Sequence, residues 1–372
     1  MIVIYSPSCD GAIFHYSNEL FVEIKKQRDT RLLTTGSIEP STPQGTIFLC
    51  SRIKQRKDYS NRISWSLGRA GYYLGRELAL YYFLVRNRRS ISRFHAQEAF
   101  YPFLPFLTLL LRLFSIRCFF TVHNVRQHDY SSRFRNALCD RVTHRCLKYW
   151  HALIVHGKTT ANELQQIIPS TRIQIIPHPI FSEFATREVR PGEPSAKRLL
   201  IFGSIRRNKG IELAIQALTF LPNYHLEVCG YTADNSYIAQ ISAEALRSGV
   251  TNRVTITNQF VPDSSIPEIF SRASIVLLPY TNFAAQSGVL SVAIAYGRPV
   301  VVSNVGDMPE IVNSFKCGLV AAADTAAGIA EAVISMAQNN TYSACVDGTR
   351  IARNDLCMEN ICRKTVEAYD TL

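Results

Sequence analysis

The sequence SRASIVLLPYTNFAAQSGVLSVAIAYGRPVVVSNVGDMPE, residues 271–310, decides the fold class of this chain. It contains two short apolar runs, Ile275–Leu278 and residues 299–303, with a segment of small and apolar residues between them. Continuous apolar runs of this length favour parallel strands that are covered on both faces. The intervening segment, residues 288–296, is followed by Gly297, as expected for a helix that joins two such strands. The stretch therefore predicts a strand–helix–strand crossover.

The start of that helix suits an anion. Gln286, Ser287 and Gly288 stand where the loop becomes helical. The unpaired N–H groups of a first helical turn and the helix dipole both attract phosphate, and a glycine lets a ligand approach the backbone. The alternative is that Ser287 only caps the helix with its side chain. The local sequence leaves both interpretations open.

The chain as a whole has a composition typical of globular proteins and a length that predicts two domains. It has 372 residues, of which 47% are hydrophobic and 19% are charged. Its ten cysteines show no CxxC pair and no metal-ligand spacing, which indicates reduced thiols rather than a zinc site or a catalytic cysteine. Met1 leads directly into an apolar strand without a secretory signal, so we expect a cytoplasmic protein.

Positive charge is concentrated in the first half. Residues 1–195 carry a net charge of +13 and the remainder −1, for a total of +12. We expect the first half to meet an anionic partner, either a membrane surface or nucleic acid, with a solvated basic face as the alternative. No recognition-helix or RNP-type pattern accompanies the charge, so we expect no nucleic-acid binding.

The longest apolar stretch, residues 99–122, is interrupted by two prolines and two arginines, which argues against a membrane-spanning helix. Within it, residues 103–114 predict a helix with leucine and aromatic side chains nearly all round. Such a helix is either a membrane-contact element, helped by the basic flank, or a buried helix of the first domain. The sequence does not distinguish the two.

Histidines follow the apolar runs of the first half. They are His95, His123, His156 and His178, and the carboxyl ends of parallel strands are where open α/β sheets usually bind ligands. A single histidine at such a position is more often structural. We expect His123, which precedes Asn124, to be a site residue whose neutral imidazole hydrogen-bonds a sugar hydroxyl.

The second half alternates strands and helices, which predicts another parallel sheet. After the strand that ends at Phe202, Gly203 permits a turn, and Arg206 and Lys209 stand in the loop before an amphipathic helix. Two cations beside such a turn suit a diphosphate, because lysine acts as a point charge and arginine as a fork. Two unrelated surface cations are the alternative.

Domain boundaries follow from composition. Residues 186–196 hold two prolines and a glycine and predict a linker. We therefore expect one α/β domain at residues 1–185 and a second at residues 197–355. Residues 356–372 predict a helix, which we expect to dock on the first domain.

Four segments together resemble the GT-B glycosyltransferases of family 4. They are TVHNVRQHD (residues 121–129), FGSIRRNKGIELAIQAL (202–218), NQFVPDSSIPEIFSRASIVLLPY (258–280) and QSGVLSVAIAYGRPVVVSNVGDMPE (286–310). The resemblance implies a GT-B fold of the α/β class, in which two Rossmann-like domains with parallel sheets face each other across a cleft. It also implies that the first domain binds the acceptor and the second binds the nucleotide-sugar.

The resemblance implies roles for individual residues. Arg206 and Lys209 match the cations that hold the donor diphosphate, and His123 matches a histidine near the transferred sugar, so these are the expected catalytic residues. The expected substrate-binding residues share positions in loops or at the ends of strands and helices; they are Asp10, Gly11, His95, Asn124, Gly203, Gln286, Ser287, Gly288, Val289, Leu290 and Glu310.

One departure from the family concerns two glutamates separated by seven residues, whose places are taken here by Ala284 and Val292. Gln286 and Ser287 can supply hydrogen bonds in their stead. Departure of a diphosphate chiefly needs stabilisation of its negative charge, which two cations and helix amides can provide. Retention needs no protein nucleophile if the leaving phosphate assists the incoming hydroxyl, as the resemblance implies.

The first hypothesis is a retaining glycosyltransferase that needs neither a metal nor a cofactor. It would move a sugar from a nucleotide-sugar donor to a lipid-linked or oligosaccharide acceptor in surface polysaccharide biosynthesis, at the inner face of the membrane. The second is a nucleotide-sugar epimerase or hydrolase of the same fold, with Asp10, Glu98 or Glu310 as acid or base. The third is an inactive nucleotide-sugar-binding protein. The sequence identifies neither the base nor the sugar.

Overall fold

The computed structural model of this chain contains two compact α/β units. It describes residues 1–8, 11–37, 39, 42–51, 58, 60–98, 102–123, 125, 133–185, 197–281, 286–322, 324–338 and 340–372. Unit 1 consists of Met1–His156, Thr160–Pro177 and Met358–Leu372, and unit 2 of Gly157–Thr159 and His178–Cys357.

Each unit is built on a parallel sheet. The strands of unit 1 are β1 (Ile2–Tyr5), β2 (Thr30–Thr34), β3 (Thr46–Phe48), β4 (Arg93–Ala96), β5 (Arg117–Thr121), β6 (Ala152–Val155) and β7 (Ile173–Ile175). Those of unit 2 are β8 (Arg198–Phe202), β9 (His225–Gly230), β10 (Val254–Asn258), β11 (Ile275–Leu278), β12 (Val300–Val302) and β13 (Gly318–Val320).

The order of the strands is that of doubly wound sheets. It is β3-β2-β1-β4-β5-β6-β7 in unit 1 and β10-β9-β8-β11-β12-β13 in unit 2, with parallel pairing throughout. The order reverses beside β1 in unit 1 and beside β8 in unit 2, and ligands bind such sheets at these switch points. Two Rossmann-like domains with parallel sheets were predicted, and this prediction is confirmed.

Helices connect the strands. They are α1 (Gly11–Lys25), α2 (Arg62–Asn87), α3 (Leu104–Leu113), α4 (Arg133–Leu147), α5 (Lys158–Ile167), α6 (Ser182–Ala185), α7 (Ile211–Ala217), α8 (Asn235–Arg247), α9 (Ile266–Arg272), α10 (Gly288–Ala295), α11 (Met308–Phe315), α12 (Ala326–Met336), α13 (Thr341–Asp355) and α14 (Met358–Thr371). The decisive stretch thus forms β11, α10 and β12, the crossover that its sequence predicts.

The helix α3 combines the two alternatives that the sequence left open. Leu104, Leu107 and Leu111 are buried in the core of unit 1, whereas Leu109 and Leu113 are 60% and 70% exposed. The helix is therefore amphipathic, with one face in the core and the other in solvent. Within the described residues, no helix is long and apolar enough to cross a membrane.

The compact units differ from the predicted domains between His178 and Ala185. This segment belongs to unit 2, because the backbone N–H of Ile180 donates to the carbonyl of Leu356 at 2.8 Å and that of His178 donates to Gln286 Oε1 at 2.9 Å. The predicted linker, residues 186–196, lies outside the described residues. The last helix, α14, belongs to unit 1, where it packs on α1.

Close backbone approaches hold the loops of unit 2 at the carboxyl edge of its sheet. Gly210 has a φ of +64°, and a Cβ on it would lie 1.8 Å from the carbonyl oxygen of Pro279, directly after β11. Beside it, the N–H of Thr281 donates to the carbonyl of Asn208 at 2.9 Å. The loop after β8 is therefore fixed against the end of β11.

We predict that Gly210→Ala lowers the free energy of unfolding by more than about 1 kcal/mol, because it adds a backbone clash to an unfavourable φ. Gly249→Ala is the matched control, since Gly249 has a φ of +67° and nothing within 4 Å of an added Cβ. Urea denaturation of both variants separates the two effects. Equal losses would contradict the close approach of Gly210 to Pro279.

Candidate functional site

The loop after β8 brings two cations to the carboxyl edge of the second sheet. Arg206 precedes a short 3-10 turn, Arg207–Lys209, which Gly210 closes in the left-handed conformation. Arg206 is exposed and Lys209 is half-buried. Within the described part of the chain, neither Arg206 nor Lys209 forms an ion pair with a carboxylate. Their positive charge is thus available to an anion.

The ammonium of Lys209 is held in place by the phenol of Tyr280. Its Nζ donates to the Tyr280 hydroxyl and lies 4.1 Å from the centroid of the ring, a cation–π arrangement. Burial and, to a smaller extent, the charge of Arg206 lower the pKa of Lys209 to about 8. A bound anion would stabilise the charged form and raise this pKa again.

The same phenol reaches the start of α10. The Tyr280 hydroxyl lies 2.9 Å from Ser287 Oγ, and both side chains are buried. Burial raises the pKa of Tyr280, so the phenol keeps its proton. Tyr280 accepts the hydrogen bond from Lys209, and its hydroxyl forms a second hydrogen bond with Ser287 in which either oxygen can be the donor. A single buried residue joins the lysine to the helix start.

The first turn of α10 is open to an anion. The side chain of Ser287 makes no capping hydrogen bond, so the interpretation of Ser287 as a simple cap is wrong. Gly288 is exposed, and an added Cβ there would meet nothing within 4 Å. Among the described residues, the N–H groups of Gly288 and Val289 have no acceptor, whereas that of Leu290 donates to the Ser287 carbonyl at 3.0 Å.

Gly203 lies beside this turn. It has a φ of +94°, and a Cβ on it would lie 3.4 Å from Cγ2 of Val289. The end of β8 and the start of α10 are therefore neighbours, as the resemblance implied. Of the predicted amide donors, Gly288 is exposed and Val289 is half-buried, while Leu290 is buried and uses its N–H within the helix.

Two other predicted contacts are engaged with protein groups. Gln286 Oε1 accepts the N–H of His178 at 2.9 Å. Glu310, in the first turn of α11, accepts the N–H of Lys158 at 3.0 Å and pairs with its ammonium at 2.8 Å. The structure thus gives Gln286 and Glu310 roles in holding the chain within unit 2.

His95 is inside unit 1. It is fully buried, with Nδ1 2.6 Å from the Tyr369 hydroxyl and Nε2 2.7 Å from Thr121 Oγ1. Burial, with a smaller effect of His156, lowers its pKa to about 3. Because its ring has no access to solvent, His95 belongs to the internal hydrogen-bond network of unit 1 and not to a ligand-contacting surface.

His123 is half-buried beyond the end of β5 and contacts two polar side chains. Its Nε2 lies 3.3 Å from Gln97 Oε1, and its Nδ1 lies 3.4 Å from Nε2 of His156. The ring of Tyr16 packs edge-on against it, with centroids 5.6 Å apart. The position of His123 is thus fixed from three sides.

Proton positions around His123 follow from its neighbour. Burial lowers the pKa of His156 to about 4, so His156 is neutral at pH 7. Its Nδ1 lies 2.9 Å from the carbonyl of Ile176 and must be its protonated nitrogen. His156 Nε2 is therefore an acceptor, and His123 donates to it from Nδ1.

The structure describes only some of the remaining predicted positions. Asp10 and Asn124 lie outside the described residues, as does Ala284. Gly11 is exposed at the start of α1 with a φ of +79°, and Val292 is half-buried in α10. No group of three or more metal-ligating side chains occurs within the described ranges.

Sequence reasoning missed Tyr280 and Gln97. Each comes just after an apolar strand, Tyr280 after β11 and Gln97 after β4. The rule that selected His123, that polar groups at the ends of parallel strands form sites, applies equally to both. They were passed over because tyrosine and glutamine are also ordinary residues of loops.

A comparison with known families identifies unit 2. Residues 196–339 match the family model described as glycosyl transferases group 1. Over this range, unit 2 is similar to the group 1 glycosyltransferases. The matched range contains both cations, the tyrosine and the open start of α10.

Related proteins extend this match to the glycosyltransferases of glycan synthesis. The chain is 30% identical over 185 residues to alpha-maltose-1-phosphate synthase of Mycolicibacterium smegmatis, which covers 45% of this chain and 46% of that protein. It is 23% identical over 279 residues to the lipopolysaccharide core biosynthesis mannosyltransferase LpsB of Rhizobium meliloti, which covers 71% and 74%. The chain spans about half the length of the first curated relatives that it matches.

A solved structure shows the same fold over the whole chain. The protein Alr3699/HepE from Anabaena, in complex with UDP and glucose, matches with a TM-score of 0.68 at 15% identity, covering 100% of this chain and 99% of that one. Units 1 and 2 of this chain together therefore have the GT-B fold.

Removing the phenol hydroxyl should uncouple Lys209 from α10. We predict that Tyr280→Phe lowers the free energy of unfolding by about 1–3 kcal/mol, because it leaves buried polar atoms without a partner. Tyr231→Phe is the control, since Tyr231 is 55% exposed. Urea denaturation measures both, and a loss no larger in Tyr280→Phe would contradict the bridge.

The lowered pKa of Lys209 makes stability depend on pH. Its pKa of about 8 lies below the ordinary value of 10.5 for a lysine, so the unfolded chain binds more protons between these pH values. The contribution of Lys209 to stability therefore grows as pH rises. At pH 8 the variant Lys209→Met should have the higher free energy of unfolding, because it lacks the buried charge. We predict that this difference from the wild type shrinks between pH 8 and pH 10.5. A difference in free energy of unfolding that is constant across this range would contradict the lowered pKa of Lys209.

Proposed function

We propose that this chain is a glycosyltransferase that uses a nucleotide-sugar donor, whose diphosphate binds at Arg206, Lys209 and the start of α10. The observation that carries this proposal is the bridge of Lys209 and Ser287 by Tyr280. It holds an ammonium beside open backbone N–H groups before any ligand arrives. Such a preorganised field stabilises the charge that develops on a leaving diphosphate.

We also propose that transfer proceeds with retention and without a metal. The two cations and the dipole of α10 supply the positive charge that the leaving group needs. Retention then requires only that the leaving phosphate assists the incoming hydroxyl on the same face of the sugar. In this proposal His123 lies beside the transferred sugar, held in position by Gln97 and His156.

The acceptor in this proposal is a lipid-linked glycan of a surface polysaccharide, extended at the inner face of the membrane. Two observations support it. The name of the relative LpsB places that protein in lipopolysaccharide core biosynthesis, and the first 195 residues of this chain carry a net charge of +13. A basic surface is attracted to anionic lipid headgroups.

Thermal-shift measurements with UDP, GDP, ADP and dTDP test the donor site. We predict that one of them stabilises the protein, by roughly 2.7 kcal/mol at about 100 times its dissociation constant. UDP is the first to test, because Alr3699/HepE was solved with UDP and glucose. Stabilisation should be lost in Arg206→Ala and Lys209→Ala and retained in Arg207→Ala, whose guanidinium instead pairs with Asp234.

The outcome separates the proposed function from its alternatives. Stabilisation that survives both Arg206→Ala and Lys209→Ala would place the nucleotide elsewhere. Stabilisation without any turnover would favour an inactive binding protein, and turnover of the nucleotide-sugar that is undiminished when every acceptor is omitted would favour a hydrolase or epimerase. For a transferase, loss of Arg206 should lower kcat by about 100-fold or more, as expected when one stabilising group is removed from a developing anion.

A further inference from the structure

One face of α2 is apolar and exposed along nearly the whole helix. Its side chains are between 42% and 73% exposed, and their spacing of three, four or seven residues keeps them on a single face. At 1.5 Å per residue this face is about 33 Å long. It consists of Ile63, Leu67, Leu74, Leu78, Tyr82 and Val85.

The exposed face of α3 adds to it. Phe106, Leu109 and Leu113 are between 49% and 70% exposed. The ring of Phe106 packs against Tyr81 of α2, with centroids 4.8 Å apart, and the Tyr81 hydroxyl donates to the carbonyl of Phe103. The two helices therefore present neighbouring apolar faces within unit 1, which we call the α2–α3 surface.

Charge around the α2–α3 surface is of one sign. The only acidic residue in either helix is Glu77, which is buried and paired with Arg76 at 2.6 Å. The exposed basic residues at the ends of the two helices are Arg62, Arg86, Arg88, Arg89 and Arg112. The surface thus combines apolar side chains with uncompensated arginines.

We propose that the α2–α3 surface docks this chain on the headgroup region of an anionic lipid bilayer. Exposed apolar surface of this extent marks an interaction site, and a helix with one apolar face and flanking arginines lies in the bilayer interface instead of crossing it. The arginines select the partner, because anionic headgroups attract them, whereas a second copy of the same surface would place arginines against arginines. The proposal deepens the proposed function by naming the surface that meets the membrane, but it rests on residues of unit 1 alone.

Flotation of the purified protein with vesicles tests the proposal. At about 0.15 M salt, the wild type should bind vesicles of phosphatidylglycerol and phosphatidylcholine at least about tenfold better than vesicles of phosphatidylcholine alone. The variant Leu67→Asp/Leu78→Asp should bind the anionic vesicles about tenfold less, because both charges enter the apolar face. The matched control is Leu246→Asp/Ile351→Asp, which alters two equally exposed positions on α8 and α13 of unit 2 and should bind like the wild type.

A second variant tests the charge. Arg86→Ser/Arg112→Ser changes exposed side chains only, and it should lose affinity for the anionic vesicles without losing what little affinity exists for the neutral ones. Equal binding of all variants would overturn the proposal. So would a wild-type dimer that Leu67→Asp/Leu78→Asp converts to a monomer while vesicle binding is unchanged, since the surface would then serve a second copy.

The nucleotide thermal shift, measured on the same variants, separates this inference from the proposed function. Leu67→Asp/Leu78→Asp should keep the wild-type shift, because the donor site is built from residues of unit 2. Vesicle binding that fails while the nucleotide shift holds overturns the α2–α3 surface alone. In a different outcome, no nucleotide stabilises the protein, but the variant Leu67→Asp/Leu78→Asp still loses vesicle binding. That outcome supports the α2–α3 surface and overturns the donor site.

Discussion

The close packing of glycine backbones at the carboxyl edge of the second sheet is the constraint on which the candidate site depends. A Cβ on Gly230 would lie 1.8 Å from the carbonyl oxygen of Gly203, as one on Gly210 would from that of Pro279. Only glycine lets the ends of β8, β9 and β11 come this close. The loop that carries Arg206 and Lys209 is therefore placed by backbone sterics, before any electrostatic interaction contributes.

Electrostatics then act on a geometry that is already fixed. Holding Lys209 half-buried and near Arg206 is unfavourable for its charge, as its lowered pKa records. Tyr280 compensates in part through its hydroxyl and its ring. An anion bound between the two cations would relieve the remaining cost, because it would offset the repulsion between Arg206 and Lys209.

The sequence was sufficient for those features that depend on local pattern. Apolar runs and intervening helices identified both parallel sheets. Residue chemistry selected Arg206 and Lys209 as candidates, and the structure places them close enough for Arg206 to lower the pKa of Lys209. Sequence reasoning failed where contacts between segments far apart in the chain determine the environment of a residue. His95 was expected to contact substrate, but Tyr369, 274 residues away, closes over its ring. The side chain of Ser287 was a possible helix cap, but it hydrogen-bonds Tyr280 instead. The domain boundary near His178 depends on hydrogen bonds to Gln286 and Leu356.

The helix α14 has a consequence for how the chain is made. It follows unit 2 in sequence but belongs to unit 1, where Ile361 and Ala368 pack with Ile154 and Ile176. During translation, the first sheet must therefore wait for about 180 further residues of unit 2 before its last helix leaves the ribosome. Until then, the apolar residues that α14 covers stay uncovered, so unit 1 is completed only after all of unit 2 has been synthesised.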